Sequence, residues 1–353
     1  MKKIRVGVIG AGNIGKVHID ALRNLPNVEV VSICSRTNME ERAKALNIAS
    51  FYTDYKEMIN QENLDSVHIC TTNDTHFEMA EYAIEHNLHV VLEKPMTKTL
   101  AEAKKLYDLV KDINLVHEVH FHNRFYPANQ EIKRNIKKAG KLNLIYGNYL
   151  QDWMTPKDQF NWRATKEASG VTRVIHDVGT HFFDLIEYVS GHKVVEVFAE
   201  LKTIYDERNG VLIDTEDIGV VIFKTDKGAL GNVLISQSVP GIKNELKTVY
   251  VGENATFSWD GKSVNESHIL YYDKDTEIIK TSSIETLKNG IMYDVDGFFD
   301  SFKETLRGVY HKIENREFKQ EFADFSDGLH SMMIVEAIYQ SYVKKDWVKL
   351  NEL

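Results

Sequence analysis

A glycine-rich turn near the N-terminus stands between an apolar run and a helical pattern. The run Ile4–Ile9 predicts a buried strand. Gly10, Gly12 and Gly15 follow it at the spacing G-x-G-x-x-G, and apolar residues then recur at helical spacing until Pro26. In a dinucleotide-binding βα unit, such glycines make a tight turn, let the backbone approach a pyrophosphate and permit close helix packing. The alternative is a glycine-rich turn that binds no ligand.

Short apolar runs and helical patterns continue to alternate up to residue 121. Further strands are predicted at Val28–Ile33, Val67–Cys70, Leu88–Leu92 and Leu115–Val119, and helices at Glu40–Leu46, Phe77–Ile84 and Leu100–Val110. This alternation predicts right-handed βαβ units, and therefore an α/β Rossmann domain with a doubly wound parallel sheet over residues 1–121. Asn13 and Ile14, at the start of the first helix, join the three glycines as candidate cofactor contacts.

The pattern changes from about Leu142. Strand-like runs joined by turn signals then follow one another, and two helical patterns, Asp296–Ile313 and Asp324–Val343, close the sequence. We therefore predict an α+β domain over residues 122–353 with a large, mostly antiparallel open sheet. The predicted strands are Leu142–Leu150, Val194–Ile204, Asp217–Lys224, Gly228–Val239, Leu246–Val251, Ala255–Trp259 and His268–Tyr272.

Composition excludes several classes of function. The 43 Lys and Arg residues against 52 Asp and Glu give a net charge of −9, which argues against nucleic acid or an anionic membrane as partner. No apolar run is long enough to span a bilayer. Two cysteines, Cys34 and Cys70, cannot form a disulfide framework, so we expect a cytoplasmic protein. The histidines lack the spacing of a metal site, and no metal is expected.

The end of the second predicted strand bears on the choice of cofactor. NAD-specific folds place a carboxylate here to accept hydrogen bonds from the ribose 2′-hydroxyl. This chain has Cys34-Ser35-Arg36 instead. Ser35 can donate to a 2′-phosphate, and the Arg36 guanidinium can pair with it. The pattern favours NADP, with NAD as the alternative; Arg36 as a solvated surface charge is the competing interpretation.

A lysine follows the fifth predicted strand, in the sequence Glu93-Lys94-Pro95. The carboxyl ends of strands form the ligand side of an open α/β sheet. Pro95 restricts the backbone at Lys94, which suits a side chain that must point one way. Lys94 is therefore a candidate site residue, although a lysine at a strand end is often only a surface charge.

A second group of polar residues opens an apolar helical stretch further along the chain. Asp177 and His181 are spaced so that one helix face would carry both. A histidine held by a carboxylate is a common acid–base unit. The alternative is that Asp177 caps the helix and His181 is a core histidine.

Together these motifs resemble those of the Gfo/Idh/MocA family of NAD(P)-dependent oxidoreductases. The resemblance covers essentially the whole chain. It is carried by three segments: the strand–Gly10-x-Gly12-x-x-Gly15–helix start, Glu93-Lys94-Pro95 and Asp177-x-Gly179-x-His181-x-x-Asp184. The resemblance implies that Lys94, Asp177 and His181 line the active site, and that dimers or tetramers form through the open sheet face. Thr71-Thr72-Asn73-Asp74-Thr75-His76 is similar to the family's loop after the fourth strand, which adds cofactor contacts at Thr71, Thr72, Asn73, His76, Glu93 and Lys94.

The resemblance implies hydride transfer between a nicotinamide cofactor and a secondary alcohol or ketone. Sugars and cyclitols suit a site rich in polar and aromatic groups. His120 and His122 are expected at an exposed strand end, with a place among the substrate contacts as the alternative. A longer loop before Asp177 departs from the usual family pattern, so the particular substrate stays open. Besides the catalytic residues, the candidate substrate contacts are Asn123, Arg124, Tyr126, Gln151, Trp153, Trp162, Arg163, Arg173 and His176.

Two other functions are compatible with the same fold. One is a glycosidase that retains its nicotinamide cofactor and oxidises the sugar only transiently. The other is a non-catalytic regulatory protein that binds a dinucleotide. The presence of Lys94, Asp177 and His181 together argues against the regulatory protein, which needs none of them.

Overall fold

The structure is a computed structural model that describes residues 3–281 and 297–353. The chain folds into two units. The first comprises the chain up to His122 together with Phe302–Leu329, and the second comprises Asn123–Ser301 and His330–Leu353. Residues 302–329, which the sequence pattern assigns to the second domain, thus belong to the first unit. Tyr310 explains part of this assignment, because its hydroxyl lies 2.7 Å from Nε2 of His68 in the first sheet.

The first unit contains a six-stranded parallel sheet. Its strands are β1 (Ile4–Ile9), β2 (Val28–Cys34), β3 (Ser50–Tyr52), β4 (Ser66–Ile69), β5 (His89–Leu92) and β6 (His117–Val119), in the order β3-β2-β1-β4-β5-β6. Every residue of β4 is buried, as expected of a strand covered on both faces. The order reverses at β1, whose neighbours are β2 and β4, and ligands of such sheets bind beyond the carboxyl ends at this point.

Helices follow the strands of this sheet in sequence. They are α1 (Asn13–Arg23), α2 (Met39–Leu46), α3 (Tyr55–Gln61), α4 (Asn73–Glu85) and α5 (Leu100–Val110). α5 begins with a capping box, in which Thr99 Oγ1 accepts from the Glu102 N–H and the Glu102 carboxylate accepts from the Thr99 N–H. Strand β3 and helix α3 are absent from the sequence prediction, because β3 has only three residues and α3 little apolar periodicity.

The second unit is built on a nine-stranded sheet. Its strands are β7 (Leu142–Gln151), β8 (Val194–Lys202), β11 (Ile218–Thr225), β12 (Leu230–Ser236), β13 (Asn244–Gly252), β14 (Thr256–Asp260), β15 (Glu266–Leu270), β16 (Glu277–Lys280) and β17 (Val348–Lys349), and a separate hairpin holds β9 (Glu207–Arg208) and β10 (Val211–Leu212). The order is β16-β15-β14-β13-β7-β12-β11-β8-β17. The predicted antiparallel pairing holds throughout this sheet except that β7 and β12 are parallel. The long chain segment between them supplies the crossover that a parallel pair requires.

Helical segments of the second unit include α6 (Pro127–Asn135), α7 (Lys166–Ser169), a π-helical turn (Ile175–Gly179) and α8 (Thr180–Ser190). Phe182, Phe183 and Ile186 of α8 belong to the same buried core as Val221 and Phe223 of β11. Alternate residues of β11 are buried and exposed, so helices cover one face of the sheet and its other face stays open. Short 3₁₀ turns lie at His122–Phe125, Ile136–Ala139, Trp162–Ala164 and Leu350–Glu352.

The chain ends with α9 (Phe298–Glu314) and α10 (Phe325–Lys344). Both agree with the two predicted terminal helices, although the predicted start at Asp296 lies outside the described residues. Within residues 3–281 and 297–353, no helix combines the length and apolar character needed to cross a membrane.

Candidate functional site

The glycine turn of the first unit has the shape that a dinucleotide requires. Gly10 adopts a φ of +95°, and a Cβ there would lie 2.5 Å from the Cys70 carbonyl oxygen. A Cβ on Gly15 would lie 2.0 Å from the Gly10 carbonyl oxygen, so this position must be glycine for the helix to pack. By contrast, a Cβ on Gly12 would meet nothing within 4 Å. The turn is thus tight on its protein side and open at Gly12, beside the N-terminus of α1, which fits a bound pyrophosphate.

An arginine that the sequence analysis did not select contacts the segment directly after β2. Arg42 on α2 donates from Nη1 to the Ala11 carbonyl oxygen at 3.1 Å and to Ser35 Oγ at 3.2 Å. It therefore connects the glycine turn to the residue that stands in place of the usual carboxylate. Arg36 is exposed beside it. Two guanidinium groups and a hydroxyl thus belong to one short stretch of surface at the end of β2.

Lys94 is positioned by the residue before it. Glu93 is buried, its Oε2 accepts from the Lys94 N–H at 3.2 Å, and its Oε1 lies 3.1 Å from His18 Nε2. Next in the chain, the Pro95 carbonyl oxygen lies 2.9 Å from Nδ1 of the buried His76, whose Nε2 lies 3.3 Å from the Thr71 carbonyl oxygen. His76 therefore connects the loops after β4 and β5. Thr71 lies in the loop after β4, Thr72 is the N-cap of α4, and Asn73 is its first residue.

A buried chain of hydrogen bonds supports Glu93 from behind. His18 Nδ1 lies 2.7 Å from His68 Nδ1, and His68 Nε2 lies 2.7 Å from the Tyr310 hydroxyl. Because an ionised carboxylate only accepts, the donors point one way, from Tyr310 through His68 and His18 to Glu93. Burial lowers the pKa of His18 to about 4 and also lowers that of His68, which keeps both imidazoles neutral. Burial alone would raise the pKa of Glu93, but the hydrogen bond from His18 and nearby charges lower it below its usual range.

His120 and His122 are buried, so the prediction of an exposed position is wrong. Their rings pack on Phe302 of α9, a residue distant in sequence that covers this strand end. His120 Nδ1 lies 3.1 Å from Glu118 Oε1. Burial alone would lower the pKa of His120, but the charge and hydrogen bond of Glu118 together with the charge of Glu93 raise it. No group of His, Cys, Asp and Glu among the described ranges is arranged to hold a metal ion.

Asp177 is the centre of the polar group in the second unit. Its Oδ2 accepts from Gln237 Nε2 at 2.6 Å, and its Oδ1 lies 3.5 Å from Arg163 Nε. The Arg163 guanidinium lies 4.3 Å from the centre of the Trp162 ring, a cation–π arrangement. Gln151 joins this group by accepting from Gln237 at 3.2 Å and from Trp153 at 2.9 Å. A carboxylate, a guanidinium, two amides and two indoles are thereby brought together.

His181 lies in the first turn of α8, and its ring centre is 6.3 Å from that of Tyr149. Burial is the main cause that raises the pKa of the Tyr149 hydroxyl, and the negative charge of Asp177 is the second. Asp177 is therefore close enough to Tyr149 to act on it electrostatically. Asp177 is not the cap of α8. Gly179 occupies that position, and Asp177 lies within the π-helical turn before it. Such turns are frequent at functional sites, and this one leads directly into α8.

Arg173 does not join this group. It is fully buried, its Nη2 donates to Asp217 Oδ1, and its Nε donates to the Glu216 carbonyl oxygen at 3.1 Å. The Glu216 carboxylate accepts from the N–H groups of Arg173 and Ile175 at 3.0 Å. The expectation that Arg173 contacts a substrate is therefore corrected: its side chain holds the loop before Asp177, because two carboxylate residues distant in sequence meet it there.

Three other predicted substrate contacts also form hydrogen bonds within the chain. Arg124 forms a bidentate pair with Asp184, with Nε 2.9 Å from Oδ2. His176 is buried, and its Nδ1 lies 2.7 Å from Thr172 Oγ1. Asn123 is buried, and its carbonyl oxygen accepts from Asn129. The Arg124 and His176 side chains are therefore bound by other side chains of the second unit, whereas the contact of Asn123 uses its backbone carbonyl.

Comparison with known proteins identifies the family. A model described as "Oxidoreductase family, NAD-binding Rossmann fold" matches residues 4–121, and one described as "GFO/IDH/MocA C-terminal domain" matches residues 130–258. The chain belongs to the Gfo/Idh/MocA family. The resemblance found in the sequence is confirmed, and so is the fold that it implied. As a family member, the chain is an NAD(P)-dependent oxidoreductase.

Characterised relatives match over the full length of this Gfo/Idh/MocA chain. Levoglucosan dehydrogenase of Pseudarthrobacter phenanthrenivorans is 27% identical over 100% of both chains. Myo-inositol 2-dehydrogenase of Thermotoga maritima is 24% identical over 99% of both. A solved structure of levoglucosan dehydrogenase in complex with NADH has a TM-score of 0.92 and 25% identity over 99% of both chains.

Proposed function

We propose that this protein oxidises a secondary alcohol of a sugar or cyclitol, or reduces the corresponding ketone, with a nicotinamide dinucleotide. The observation that carries the proposal is the polar group around Asp177. A polyol needs many directional hydrogen bonds and an aromatic face, and Asp177, Arg163, Gln151 and the two indoles offer both. Relatives named as levoglucosan and inositol dehydrogenases support the same substrate class.

The residues are assigned roles from their chemistry and from the family resemblance. When bound, the nicotinamide supplies the hydride acceptor. His181 takes the proton of the reacting hydroxyl as general base, and Asp177 supplies a negative charge beside it. Lys94 donates a hydrogen bond to the same oxygen and stabilises the charge that develops there. Gly12 and the start of α1 hold the pyrophosphate.

The test is turnover against a panel of sugars and cyclitols, including levoglucosan and the inositols, with NAD and NADP as cofactors. We expect a stoichiometric increase in NAD(P)H absorbance with at least one member. A cofactor-retaining glycosidase would cleave a glycoside with no net change in absorbance. A regulatory protein would bind a dinucleotide and change neither, and either result would contradict the proposal.

We further propose that the cofactor is NADP, with NAD as the weaker ligand. The absence of a carboxylate at Ser35 and the presence of Arg36 and Arg42 support a 2′-phosphate contact. We expect NADPH to bind more tightly than NADH, and calorimetric titration measures the difference. Arg36→Ala and Arg42→Ala should each remove most of it, since a hydrogen bond to a charged group contributes about 1.5–3 kcal/mol.

Lys44→Ala is the matched control for these variants. Lys44 is an exposed cation on α2, the same helix as Arg42. It should leave the ratio of the two dissociation constants unchanged. Equal or tighter binding of NADH by the unmodified protein would show that the assignment of the 2′-phosphate contact is wrong.

We propose that the open face of the nine-stranded sheet forms a homodimer or homotetramer interface. Val220 and Leu234 stand opposite each other on β11 and β12 and are 47% and 41% exposed. Ile222 and Leu230 are exposed on the same two strands. Apolar side chains grouped in this way mark an interaction surface.

The free thiols of Cys34 and Cys70 are both buried, and we propose a reducing, cytoplasmic location for the protein.

Light scattering at micromolar concentration tests the assembly. We expect a particle with at least twice the mass of one chain. Val220→Glu with Leu234→Glu should give single chains, because burying two like charges costs more than the apolar contact supplies. Glu85→Gln, on an exposed residue of α4 in the first unit, serves as control and should leave the mass unchanged. A single-chain particle from the unmodified protein would contradict the proposal.

A further inference from the structure

Gln237 lies directly after β12 and is completely buried. Its Nε2 donates to Asp177 Oδ2 at 2.6 Å and to Gln151 Oε1 at 3.2 Å. The direction of this amide is fixed, because the Asp177 carboxylate only accepts and Gln151 Oε1 already accepts from the Trp153 indole. The reversed amide would place two oxygens against each other.

Within the described part of the chain, the oxygen of the same amide gains no hydrogen bond that would offset its burial. Gln237 Oε1 is inaccessible and accepts no hydrogen bond from the described residues. A buried acceptor left in this state costs free energy, so a glutamine kept here for stability alone would be a poor choice. What the buried amide supplies is its Nε2 donor, and the shorter of the two bonds from it is the one to Asp177.

Asp217 fixes the backbone on both sides of this contact. Its carbonyl oxygen accepts from the Gln237 N–H at 3.4 Å and from Ser236 Oγ at 2.9 Å. Its carboxylate binds Arg173, whose carbonyl oxygen accepts from the Asp177 N–H at 2.9 Å. One residue therefore anchors both the strand end that carries Gln237 and the turn that carries Asp177.

Charged and titratable groups approach Asp177 from other elements as well. Arg163 comes from the 3₁₀ turn Trp162–Ala164 and is about one-third exposed, with 32% of its side chain accessible. Tyr149 comes from β7 and His181 from α8. Gln237, in contrast to Arg163, is a fully buried donor to the Asp177 side chain. Without it, the attraction of Arg163 would draw the carboxylate toward solvent.

We propose that Gln237 is a positioning residue that holds the Asp177 carboxylate inward and ionised for the reaction. The inference rests on the proposed role of Asp177 in turnover. Gln237 acts through Asp177 and takes no part in proton or hydride transfer. Its effect should therefore appear in kcat and in the pH dependence of the reaction, and not in the dissociation constant of the dinucleotide.

Two substitutions at this position separate positioning from simple structural damage. Gln237→Leu keeps the volume and removes the donor, so kcat near neutral pH should fall by about 10- to 100-fold, the factor that one hydrogen bond to a charged group contributes. Because the lost donor stabilised the ionised carboxylate, the acid limb of its pH profile should also move to higher pH. Gln237→Glu places two carboxylates at hydrogen-bond distance, and such a pair shares one proton. This variant should approach normal activity at acidic pH and lose it as the pH rises and the shared proton leaves.

The control is another amide that donates to a carboxylate in the same unit. Gln340 Nε2 donates to Glu336 Oε1 at 3.0 Å on α10. Gln340→Leu and Gln340→Glu should both show the kcat and pH profile of the unmodified protein. A Gln237 substitution that only weakened folding would lower activity in both variants alike, without the opposite pH response of Gln237→Glu.

Carboxyl-carbon NMR of protein labelled at aspartate supplies a readout that needs no turnover. The Asp177 signal, assigned with Asp177→Asn, should titrate at higher pH in Gln237→Leu than in the unmodified protein. If no sugar is turned over but this midpoint moves, the proposed function fails and the positioning role stands. Unchanged kcat in Gln237→Leu, or an unchanged midpoint, would overturn the positioning role.

Discussion

Replacing His181 by alanine should lower kcat by roughly 10²–10⁴-fold, the factor that a positioned general base contributes. His181 is buried in the first turn of α8, beside the Tyr149 ring, and in the proposed reaction no other residue accepts the substrate proton. The dinucleotide dissociation constant should change little, because the cofactor contacts belong to the glycine turn of the other unit. Steady-state kinetics and calorimetry on the same preparation measure the two quantities.

Added imidazole should restore part of the activity of His181→Ala, since it can replace the missing base. Lys94→Ala should lose activity over a similar range, and the double variant should lose much less than the product of the two factors because both residues act on one proton transfer. His86→Ala, on an exposed histidine, should behave like the unmodified protein. Near-normal turnover by His181→Ala would show that His181 is only a core histidine.

Local sequence signals predicted the parts of this protein whose geometry is set by neighbours in the chain. Gly10 is required by its own positive φ and Gly15 by its contact with the Gly10 carbonyl oxygen in the same turn, so their spacing alone identified the turn. Lys94 lies between the apolar run of β5 and Pro95, and both of these are visible in the sequence. The apolar run of β11 likewise predicted a strand, although Val220 and Ile222 on its exposed face are as apolar as the residues on its buried face.

The interpretation failed where the partner of a residue lies far away in the chain. Arg173 had the chemistry of a substrate ligand, and only the fold shows that Glu216 and Asp217 already bind it. Gln237 follows an ordinary strand and carries no motif. Arg42 could have been found, since it lies on the helix directly after β2, where a second cation would pair with a 2′-phosphate. His120 was misplaced because Phe302, which covers it, comes from the other end of the sequence.

Asp217→Asn should lower the free energy of unfolding of the second unit by about 3–5 kcal/mol, the cost of removing one partner from a buried ion pair. Asp217, Arg173 and Arg208 are all fully buried or nearly so. Arg208 Nη2 lies 3.1 Å from the same Asp217 Oδ1 that Arg173 binds, so the substitution leaves two guanidinium groups without their counter-charge. Asparagine keeps the shape of the side chain, which limits the effect to the loss of charge.

The measurement is urea unfolding followed by tryptophan fluorescence. All four tryptophans of the chain, at positions 153, 162, 259 and 347, lie in the second unit, so the signal reports that unit. Glu200→Gln breaks the pair with Lys345, whose partners are 60% and 57% exposed, and should change stability by less than about 1 kcal/mol. If Asp217→Asn were as mild as this control, the two arginines would be compensated elsewhere, and Asp217 would not be the residue that holds Gln237 and the Asp177 turn together.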